Sequence, residues 1–406
     1  MISKIAPEAV AELRSLRERI KALDPTCDVF LVGGYLRDLI IHGKAKGDFD
    51  YVTNLHPDKA ANLGFNRVGE AFPVFLTDRG SELACTRTER KTGTGYNGFT
   101  TEFTPSFRED ALRRDLTVNT ALWNPEVGLV FPVEEALEDF NRQELNACTE
   151  AFAEDPLRVF RVARFAQRFR WHVGSWTQQL CIRVADEVCQ LDTNRVREEF
   201  DKVLKLQDGV AVFHSYLPDH VQKHWFGPNY QTRVDNVWNA KGISWASFYN
   251  ATKKSFNLEL SWAWLAMGAE EPVKFLHRFG KGDSTQVVLR ILLLIDSISQ
   301  ATEKVDRQTL FQLWISVRRG AVPYEEWKNV IGHLLAPHVL EALEFYDRVP
   351  TRSFKNAEER ADHYLNSYRQ ELEDLPPAYG RCNCICHKQP GVLHCFPCCH
   401  SGDNHD

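Results

Sequence analysis

The sequence predicts an α/β domain near the N-terminus, a long all-helical region after it and a small Cys/His-rich segment at the C-terminus. Three observations predict this fold class. Short strand-like runs alternate with helical stretches between residues 28 and about 145. Helical periodicity dominates residues 150–205 and returns over residues 271–372. Six of the eleven cysteines fall between Cys382 and Cys399.

The composition is that of an ordinary globular protein. Hydrophobic residues make up 43% of the 406 positions, and the net charge of −6 argues against a generally basic nucleic-acid coat. No apolar stretch reaches the roughly 18 residues that a membrane span needs. The cysteines outside the terminal group are scattered, which is typical of a reducing compartment. We therefore expect a cytoplasmic protein of about two to four domains, without a membrane partner and with its oligomeric state open.

The first elements follow in order along the chain. Residues 7–23 predict an amphipathic helix, because apolar side chains recur at steps of three and four, and Asp24-Pro25 ends it. Short runs then predict four strands, at Val29–Val32, Asp48–Thr53, Val74–Thr77 and Glu82–Thr86. Three glycines predict a loop between this sheet and the next helix, at Gly93, Gly95 and Gly98.

The stretch from residue 206 to 270 is rich in aromatic side chains. Its tryptophans are Trp225, Trp238, Trp245, Trp262 and Trp264. Buried helix packing is favoured for these rings over stacking on nucleic-acid bases. We therefore expect them to lie in the core of the helical region.

A double glycine follows the first predicted strand. Gly33 and Gly34 come directly before a helical stretch that contains Arg37 and Asp38. Neither glycine has a Cβ, so the backbone can approach a triphosphate closely. Successive backbone N–H groups at a helix N-terminus also form an anion cradle. Taken alone, however, such a pair is usually only a turn.

A pair of carboxylates lies ten residues after Asp38. Asp48 and Asp50 alternate around Phe49, so on a strand both side chains would point to one face. Two hard oxygen donors beside a phosphate cradle suit Mg²⁺. A lone Asp-x-Asp is more often a solvated strand edge. The ordered combination of the glycines with these carboxylates nevertheless favours a site for nucleotidyl transfer.

Two adjacent arginines form a second motif. Arg113 and Arg114 stand at a predicted helix start, from which both could reach phosphate oxygens. Asp115 and Asn119 are four residues apart and would share one helix face. The alternative is a surface charge pair with a capping role, and the spacing alone does not separate the two interpretations.

A third motif opens the helical region. Asp155 is the expected N-cap, with Pro156 as the first helical residue. Arginines then recur at steps of three, three and four, at Arg158, Arg161, Arg164 and Arg168. The alternative is a solvated basic face, but a stripe of this kind with a single Asp would repel itself unless an anion is near.

Asp155 and Arg158 also offer a way to recognise a base. A carboxylate accepts from an exocyclic amine, and an arginine donates to a ring nitrogen or carbonyl oxygen. Cytosine and adenine both present an amine beside an acceptor nitrogen, whereas uracil and guanine present the opposite pattern. The pair would therefore favour C and A without a nucleic-acid template.

With these three motifs in order, the chain resembles the class II CCA-adding tRNA nucleotidyltransferases and bacterial poly(A) polymerases, within the polymerase-β-like nucleotidyltransferase superfamily. The resemblance runs from about Val29 to Leu204. Three further segments resemble the bacterial CCA-adding branch, namely Gly69–Leu76, Ala84–Lys91 and Gly95–Phe99. The resemblance implies a nucleotidyltransferase head followed by an all-α neck, body and tail.

The resemblance also implies roles for the matching residues. Gly33, Gly34 and Arg37 would contact the incoming nucleotide, while Asp48 and Asp50 would hold Mg²⁺ in a two-metal site. Arg114, Arg161 and Arg164 would bind nucleotide phosphate or base. Asp155 and Arg158 would be the base-reading template, with Glu154 orienting them. Asp50 is the expected aid to deprotonation of the tRNA 3′-hydroxyl, and Glu82 or Asp115 would be a third carboxylate.

The terminal segment predicts a second metal site. Nine thiols and imidazoles lie close together, at Cys382, Cys384, Cys386, His387, His394, Cys395, Cys398, Cys399 and His400. Such ligands at short spacing indicate a Zn²⁺ knuckle, although four would suffice and the set is not assigned. The alternative is a disordered, redox-active tail.

Together these expectations define the predicted protein. It would add CCA to the 3′ end of tRNA from CTP and ATP, the alternatives being a poly(A) polymerase or a catalytically silent RNA-binding homologue. The predicted divisions are an N-terminal helix, a nucleotidyltransferase head, a base-recognising neck, a tRNA-binding body and tail, and a zinc-binding segment, at 1–26, 27–148, 149–210, 211–375 and 376–406.

Overall fold

The chain forms two compact units. The first comprises Met1–Leu191 with Ser215–Val221, and the second comprises Asp192–His214 with Gln222–Asp406. The computed structural model describes residues 5–68, 73–91, 99–206, 213–230, 258–300, 305, 307–319, 322–325, 327, 328, 331, 337–348 and 357–373. No helix within these ranges is both long and apolar enough to cross a bilayer. The five predicted divisions of the chain stay a prediction.

A mixed sheet forms the centre of the first unit. Its strands are β1 (Val29–Val32), β2 (Asp50–Thr53), β3 (Asn66–Val68), β4 (Val74–Leu76), β5 (Glu82–Cys85), β8 (Leu122–Asn124) and β9 (Gly128–Val130). Their order is β3-β4-β5-β2-β1-β8-β9. Strands β2 and β5 are parallel, and the other neighbours are antiparallel. Two small ladders join β6 (Arg87–Lys91) to β7 (Phe99–Phe103) and β10 (Glu144–Leu145) to β11 (His172–Val173).

Helices surround this sheet and continue beyond it. Those of the first unit are α1 (Pro7–Leu23), α2 (Gly33–His42), α3 (Pro57–Ala60), α4 (Phe107–Leu112), α5 (Glu135–Arg142), α6 (Arg158–Phe169), α7 (Ser175–Arg183) and α8 (Ala185–Cys189). Short 3₁₀ turns lie at Ala61–Leu63, Thr117–Asn119 and Glu150–Glu154. Later helices are α9 (Thr193–Leu204), α10 (Asp219–Phe226), α11 (Leu258–Met267), α12 (Pro272–Arg278), α13 (Asp283–Gln300), α14 (Arg307–Arg319), α15 (Pro337–Arg348) and α16 (Ala357–Glu373).

Strand β1 is buried on both faces. Val29 and Leu31 belong to the core that also contains Leu16 of α1, whereas Phe30 and Val32 belong to a second cluster on the opposite face. A strand covered on both faces needs apolar residues at every position, which is why this segment does not alternate. Both of its neighbours in the sheet are antiparallel to it, and α2 begins at the residue directly after it.

Aromatic rings form much of the core of the second unit. The ring centroid of Phe200 lies 5.3 Å from that of Phe226, 5.9 Å from Trp262 and 5.1 Å from Phe279. Three of the five tryptophans named above are buried, namely Trp225, Trp262 and Trp264. The prediction of buried helix packing is confirmed for them. Trp238 and Trp245 lie outside the described residues.

The predicted elements are confirmed in part. The helix over residues 7–23 and the strand Val29–Val32 have the predicted bounds, and the second strand begins at Asp50 rather than Asp48. The glycines at 93, 95 and 98 lie outside the described residues, but their flanks β6 and β7 pair with each other. The prediction of a sheet-to-helix loop there is therefore wrong. The strand Arg87–Lys91 is polar throughout, so no apolar alternation marked this hairpin in the sequence.

Candidate active site

The double glycine lies where β1 ends and α2 begins. Gly33 has φ +77°, a left-handed conformation that side chains rarely adopt. A Cβ on Gly33 would lie 2.4 Å from Oδ2 of Asp50, whereas one on Gly34 would meet an arginine nitrogen of Arg37 at an ordinary 3.6 Å. The absence of a side chain at Gly33 therefore brings the backbone against Asp50.

The carboxylates lie at the start of β2 and beside β5. Asp50 pairs with Val32 across the antiparallel β1–β2 ladder and with Glu82 across the parallel β2–β5 ladder. Asp48 lies just before the strand and is exposed. Burial raises the pKa of Asp50 to about 6, with Glu82 and Asp48 adding to the rise and Arg114 opposing it. Negative charge thus gathers around Asp50.

This carboxylate group suits a hard divalent cation. Within the described residues, no group of three or more His, Cys, Asp or Glu side chains is close enough together to hold a metal ion. Asp48 and Asp50 alone are two oxygen donors of the kind that Mg²⁺ prefers, and this ion commonly takes its other ligands from substrate phosphates and water. The raised pKa of Asp50 fits this arrangement, because a bound cation would relieve the repulsion that causes part of the rise.

The adjacent arginines lie at the end of α4, so the predicted helix start at this motif is wrong. Helix α4 ends at Leu112, and Arg113 is its C-cap. Buried Asp110, one turn earlier, accepts from Nη2 of Arg113 at 2.7 Å and from Nη2 of Arg114 at 2.9 Å. Burial alone would raise the pKa of Asp110, but the two guanidiniums hold it below its usual range. Asp110 thereby fixes both arginines, and the charge of Arg114 acts on Asp50.

Asp115 begins a buried polar chain. The segment after it is a 3₁₀ turn, Thr117–Asn119, rather than the predicted helix. The side chains of Asp115 and Asn119 are nevertheless in contact, as predicted. The amide of Asn119 donates to Oδ1 of Asp115 at 2.8 Å, and Nε of Arg161 donates to Oδ2 at 2.7 Å. Both oxygens of Asp115 thus have partners within the protein, whereas Glu82 lies opposite Asp50 in the β2–β5 ladder.

Arg37 lies inside the protein beneath the double glycine. It is 6% exposed and donates to Oδ1 of Asp38 from Nε and Nη2, at 3.0 and 2.7 Å. Its Nη1 donates to Oδ1 of Asn119 at 2.9 Å. Its guanidinium also lies 4.8 Å from the ring centroid of Phe165 on α6. The second oxygen of Asp38 accepts from Arg168.

The expected base-reading pair flanks the start of α6. Oδ1 of Asp155 accepts from the backbone N–H of Leu157 at 3.2 Å. The helix begins at Arg158 with Leu157 as its N-cap, because residues 156 and 157 form a turn before it, so the prediction of Asp155 as N-cap and Pro156 as first helical residue is wrong. The guanidinium of Arg158 donates to the carbonyls of Ala151 and Arg113, at 2.9 and 2.7 Å. Arg158 is therefore held against the backbone that also carries Arg113.

The arginine stripe of α6 has acidic partners after all. Arg161 pairs with Asp115 and Arg168 with Asp38, and both acids come from elements that precede α6 in the sequence. The expectation that the stripe lacks matching acids is therefore wrong, because partners on other elements are invisible to helix spacing. Arg164 is 9% exposed, with its guanidinium 4.3 Å from the ring centroid of Phe165.

Sequence reasoning missed roles for several polar residues. Asp110 was not singled out, although its spacing of three and four from Arg113 and Arg114 on a helix was a usable signal. Asp38, Asn119 and Arg168 were noted as parts of motifs without a function. Their contacts join residues that are far apart in the sequence, up to 130 positions between Asp38 and Arg168. Sequence spacing does not reveal such contacts.

The predicted zinc ligands lie outside the described residues. They are Cys382, Cys384, Cys386, His387, His394, Cys395, Cys398, Cys399 and His400. The zinc site therefore stays a prediction.

Comparison with known proteins bears on the first unit most directly. Residues 29–146 match the poly A polymerase head domain family. The Multifunctional CCA protein of Psychromonas ingrahamii is 47% identical over 194 residues, which cover 46% of this chain and 47% of that protein. The CCA-adding enzyme of Actinobacillus succinogenes is 36% identical over 199 residues, covering 47% of this chain and 49% of its own. The chain spans about half the length of the curated relatives it matches.

Solved structures resemble the chain over most of its length. The Bacillus stearothermophilus CCA-adding enzyme in complex with CTP has a TM-score of 0.58 at 20% identity, covering 91% of this chain and 100% of that one. The Thermotoga maritima CCA-adding enzyme complexed with tRNA has a TM-score of 0.60 at 18% identity, covering 90% and 88%. At such identities the likeness shows the fold. Residues 29–146 therefore match the poly A polymerase head domain, within an N-terminal half similar to those of bacterial CCA-adding enzymes, and the chain shares its fold with solved CCA-adding enzymes along most of its length.

Proposed function

We propose that the protein is a CCA-adding tRNA nucleotidyltransferase that acts in the cytoplasm on tRNA, CTP and ATP. The observation that carries the proposal is the joining of two half-sites in one unit. Asp50 lies against Gly33 on one side. The base-reading Arg158 is bonded to the carbonyl of Arg113, next to Arg114, whose charge acts on Asp50. A site that combines metal-binding carboxylates with a C/A-selective pair needs no nucleic-acid template.

The reaction assigns a task to each group. The tRNA 3′-hydroxyl oxygen attacks the α-phosphorus of CTP or ATP, the bond between the α-phosphorus and the bridging oxygen breaks, and pyrophosphate leaves. Asp50, beside the double glycine, would help to deprotonate the hydroxyl, and the proton would pass to water. Mg²⁺ held by Asp48 and Asp50 would supply electrostatic stabilisation of the charged phosphates. The backbone of Gly33 and Gly34 would cradle the triphosphate, with Arg114 beside it.

The neck helix would select the base. Asp155 would accept from the exocyclic amine, and Arg158 would donate to the neighbouring acceptor, so C and A are bound and U and G are rejected. Arg161 and Arg164 would add positive charge on the same helix face, and Arg37 would act from beneath the glycine turn. The names of the relatives and of the solved structures support tRNA as acceptor.

The test is nucleotide incorporation with a defined acceptor. Purified protein, Mg²⁺ and a tRNA lacking its CCA end are incubated with labelled CTP, labelled ATP or both. We expect two C residues and one A residue to be added, seen as a shift of three nucleotides on a sequencing gel. Long tails of A alone would support a poly(A) polymerase, which the matched head domain family also suggests. Absence of incorporation from any nucleotide would support a silent RNA-binding homologue.

The zinc proposal for residues 376–406 is separate from this activity. Thiols and imidazoles in that number suit Zn²⁺ chemically, because soft thiolates are favoured zinc ligands. Metal analysis of the full chain beside a variant ending at residue 375 tests it. One zinc per full chain and none in the shortened protein is the expected result. Equal zinc in both would remove the proposal.

A further inference from the structure

Six side chains form a polar chain that starts and ends on helix α6. The chain runs from Arg168 to Asp38, Arg37, Asn119, Asp115 and back to Arg161. Arg161 and Arg168 are seven residues apart on α6 and therefore lie on the same helix face, two turns apart. The intervening members are Asp38 and Arg37 of α2, Asn119 of the turn Thr117–Asn119, and Asp115 just before that turn. One continuous set of hydrogen bonds therefore joins α6, α2 and the segment that contains this turn.

The two helices joined in this way each carry half of the proposed site at their first residue. Helix α2 begins at Gly33, against Asp50, and helix α6 begins at Arg158, the base-reading arginine. A displacement of α6 along or around its axis would move the base relative to the α-phosphate. Displacements near 1 Å are enough to lower rates about 100-fold.

Asn119 is chemically matched to its place in the chain. Its carbonyl oxygen accepts from Arg37, and its amide nitrogen donates to Asp115. A side chain that accepts on one side and donates on the other is required there, and Asn provides both in one planar group. Aspartate would repel Asp115, and leucine of similar volume would leave Arg37 and Asp115 each without this partner.

We propose that Arg168, Asp38 and Asn119 are positioning residues that hold helix α6, and with it the base-reading pair, in register with the Asp48 and Asp50 site. The inference rests on the proposed function for its catalytic readout. None of these three residues is assigned contact with substrate. They act through Arg37, Asp115 and Arg161, which the bonds above hold in place.

The experiment compares Arg168→Gln, Arg168→Lys and Asn119→Asp with the parent protein. For each we would measure kcat and KM for CTP, the ratio of CMP to UMP incorporation, and the melting temperature. Arg168→Gln and Asn119→Asp should lower kcat about 10- to 100-fold and reduce the CMP to UMP ratio, with Arg168→Lys recovering part of both. Arg142→Gln is the matched control, because that arginine pairs with Glu138 in an exposed contact on α5.

A double substitution tests whether Asp38 and Arg168 act as a pair. Asp38→Asn combined with Arg168→Gln should lower kcat no further than the more damaging of the two single substitutions, since both substitutions remove the same bond. A merely structural role predicts a lower melting temperature with an unchanged CMP to UMP ratio. That result in folded variants, or an unchanged kcat, would overturn the inference.

Hydrogen exchange separates this inference from the proposed function. Arg168→Gln and the conservative Arg168→Lys should raise amide exchange in the first turns of both α2 and α6, with the lysine variant less affected, whether or not the protein adds nucleotides. Lack of incorporation by the parent protein would defeat the proposed function alone. Unchanged exchange at both helix starts in the glutamine variant would defeat the positioning role even in an active enzyme.

Discussion

Asp50 lies opposite Glu82 across the only parallel strand pair in the described part of the main sheet. The two carboxylates therefore lie side by side at the first residues of β2 and β5. Burial is the main cause that raises the pKa of Asp50 to about 6, and the charge of Glu82 is the next. Such repulsion is unfavourable without a cation nearby. We therefore expect Glu82 to contribute to cation affinity at this site, even though its side chain is exposed.

Replacing Glu82 with Gln tests that relationship. Removal of one negative charge should raise the Mg²⁺ concentration at half-maximal activity about 10-fold, the range seen when groups supporting a metal site are removed. Activity at saturating Mg²⁺ should be nearly restored, because Asp48 and Asp50 remain. Asp50→Asn, in contrast, should abolish nucleotide addition at every Mg²⁺ concentration. Magnesium titrations of the initial rate measure both, and an unchanged titration curve for Glu82→Gln would show that its charge does not act on the metal.

The two glycines should respond differently to the same substitution. Gly33→Ala would force a side chain into a left-handed backbone and toward Oδ2 of Asp50, and we expect a loss of about 1–2 kcal/mol in the free energy of unfolding together with loss of activity. Gly34→Ala is the matched control for stability, since its Cβ meets Arg37 at 3.6 Å. Urea unfolding and the incorporation assay should both be measured. Equal stability losses in the two variants would contradict the geometry.

Gly34→Ala also carries information of its own. If the backbone at Gly34 approaches the triphosphate, its methyl group should raise KM for CTP while the protein stays as stable as the parent. A Gly34→Ala protein with parental stability and parental KM would argue against a triphosphate cradle at this turn.

Hydrophobic periodicity in the sequence predicted those helices and strands whose apolar faces are buried in the core. The helix over residues 7–23 and the strand Val29–Val32 have their predicted bounds because apolar periodicity and burial agree there. The polar hairpin β6–β7 was missed, since Arg87–Lys91 carries no apolar alternation. Strands β8 and β9 are three residues each, too short for periodicity to register.

The candidate site shows the same division. Gly33 and Asp50 were predicted from order along the chain, and the structure brings them into contact. The partners of the α6 arginines were not predicted, because Asp38 and Arg168 are 130 residues apart and their meeting depends on how the sheet and the helix pack. Sequence spacing reports neighbours on one helix, whereas the ion pairs that neutralise this stripe come from other elements.

The base-reading pair should control nucleotide choice without affecting the metal. Asp155→Ala or Arg158→Ala should lower the preference for CTP over UTP by on the order of 10- to 100-fold, as expected for loss of one good base contact. The Mg²⁺ dependence of the remaining activity should stay that of the parent. Competition assays with mixed nucleotides give the ratio. Arg183→Gln, which removes an exposed pair with Glu150, is the control, and base choice that is equally preserved in all variants would assign selection elsewhere.

The ion pair between Asp115 and Arg161 should make the free energy of unfolding depend on pH. Burial alone would raise the pKa of Asp115, but Arg161 and Asn119 hold it well below its usual range. A carboxyl with a lowered folded-state pKa contributes stability above its unfolded pKa of about 3.9, and that contribution is lost as pH falls toward the folded value. Asp115→Asn should therefore cost about 1–2 kcal/mol in the free energy of unfolding at pH 7, because it removes the charge pair with Arg161, whose side chain is 35% exposed and therefore partly hydrated.

The difference between parent and variant should shrink as the pH falls below about 4, where the unfolded parent takes up a proton that the folded parent resists. Urea unfolding at pH 7, 5, 4 and 3 measures this difference. Asp58→Asn is the control, since that side chain is 92% exposed and its loss should change stability by less than about 0.5 kcal/mol. A stability difference for Asp115→Asn that stays constant from pH 7 to pH 3 would mean that Asp115 titrates alike in both states, and that Arg161 does not stabilise its charge.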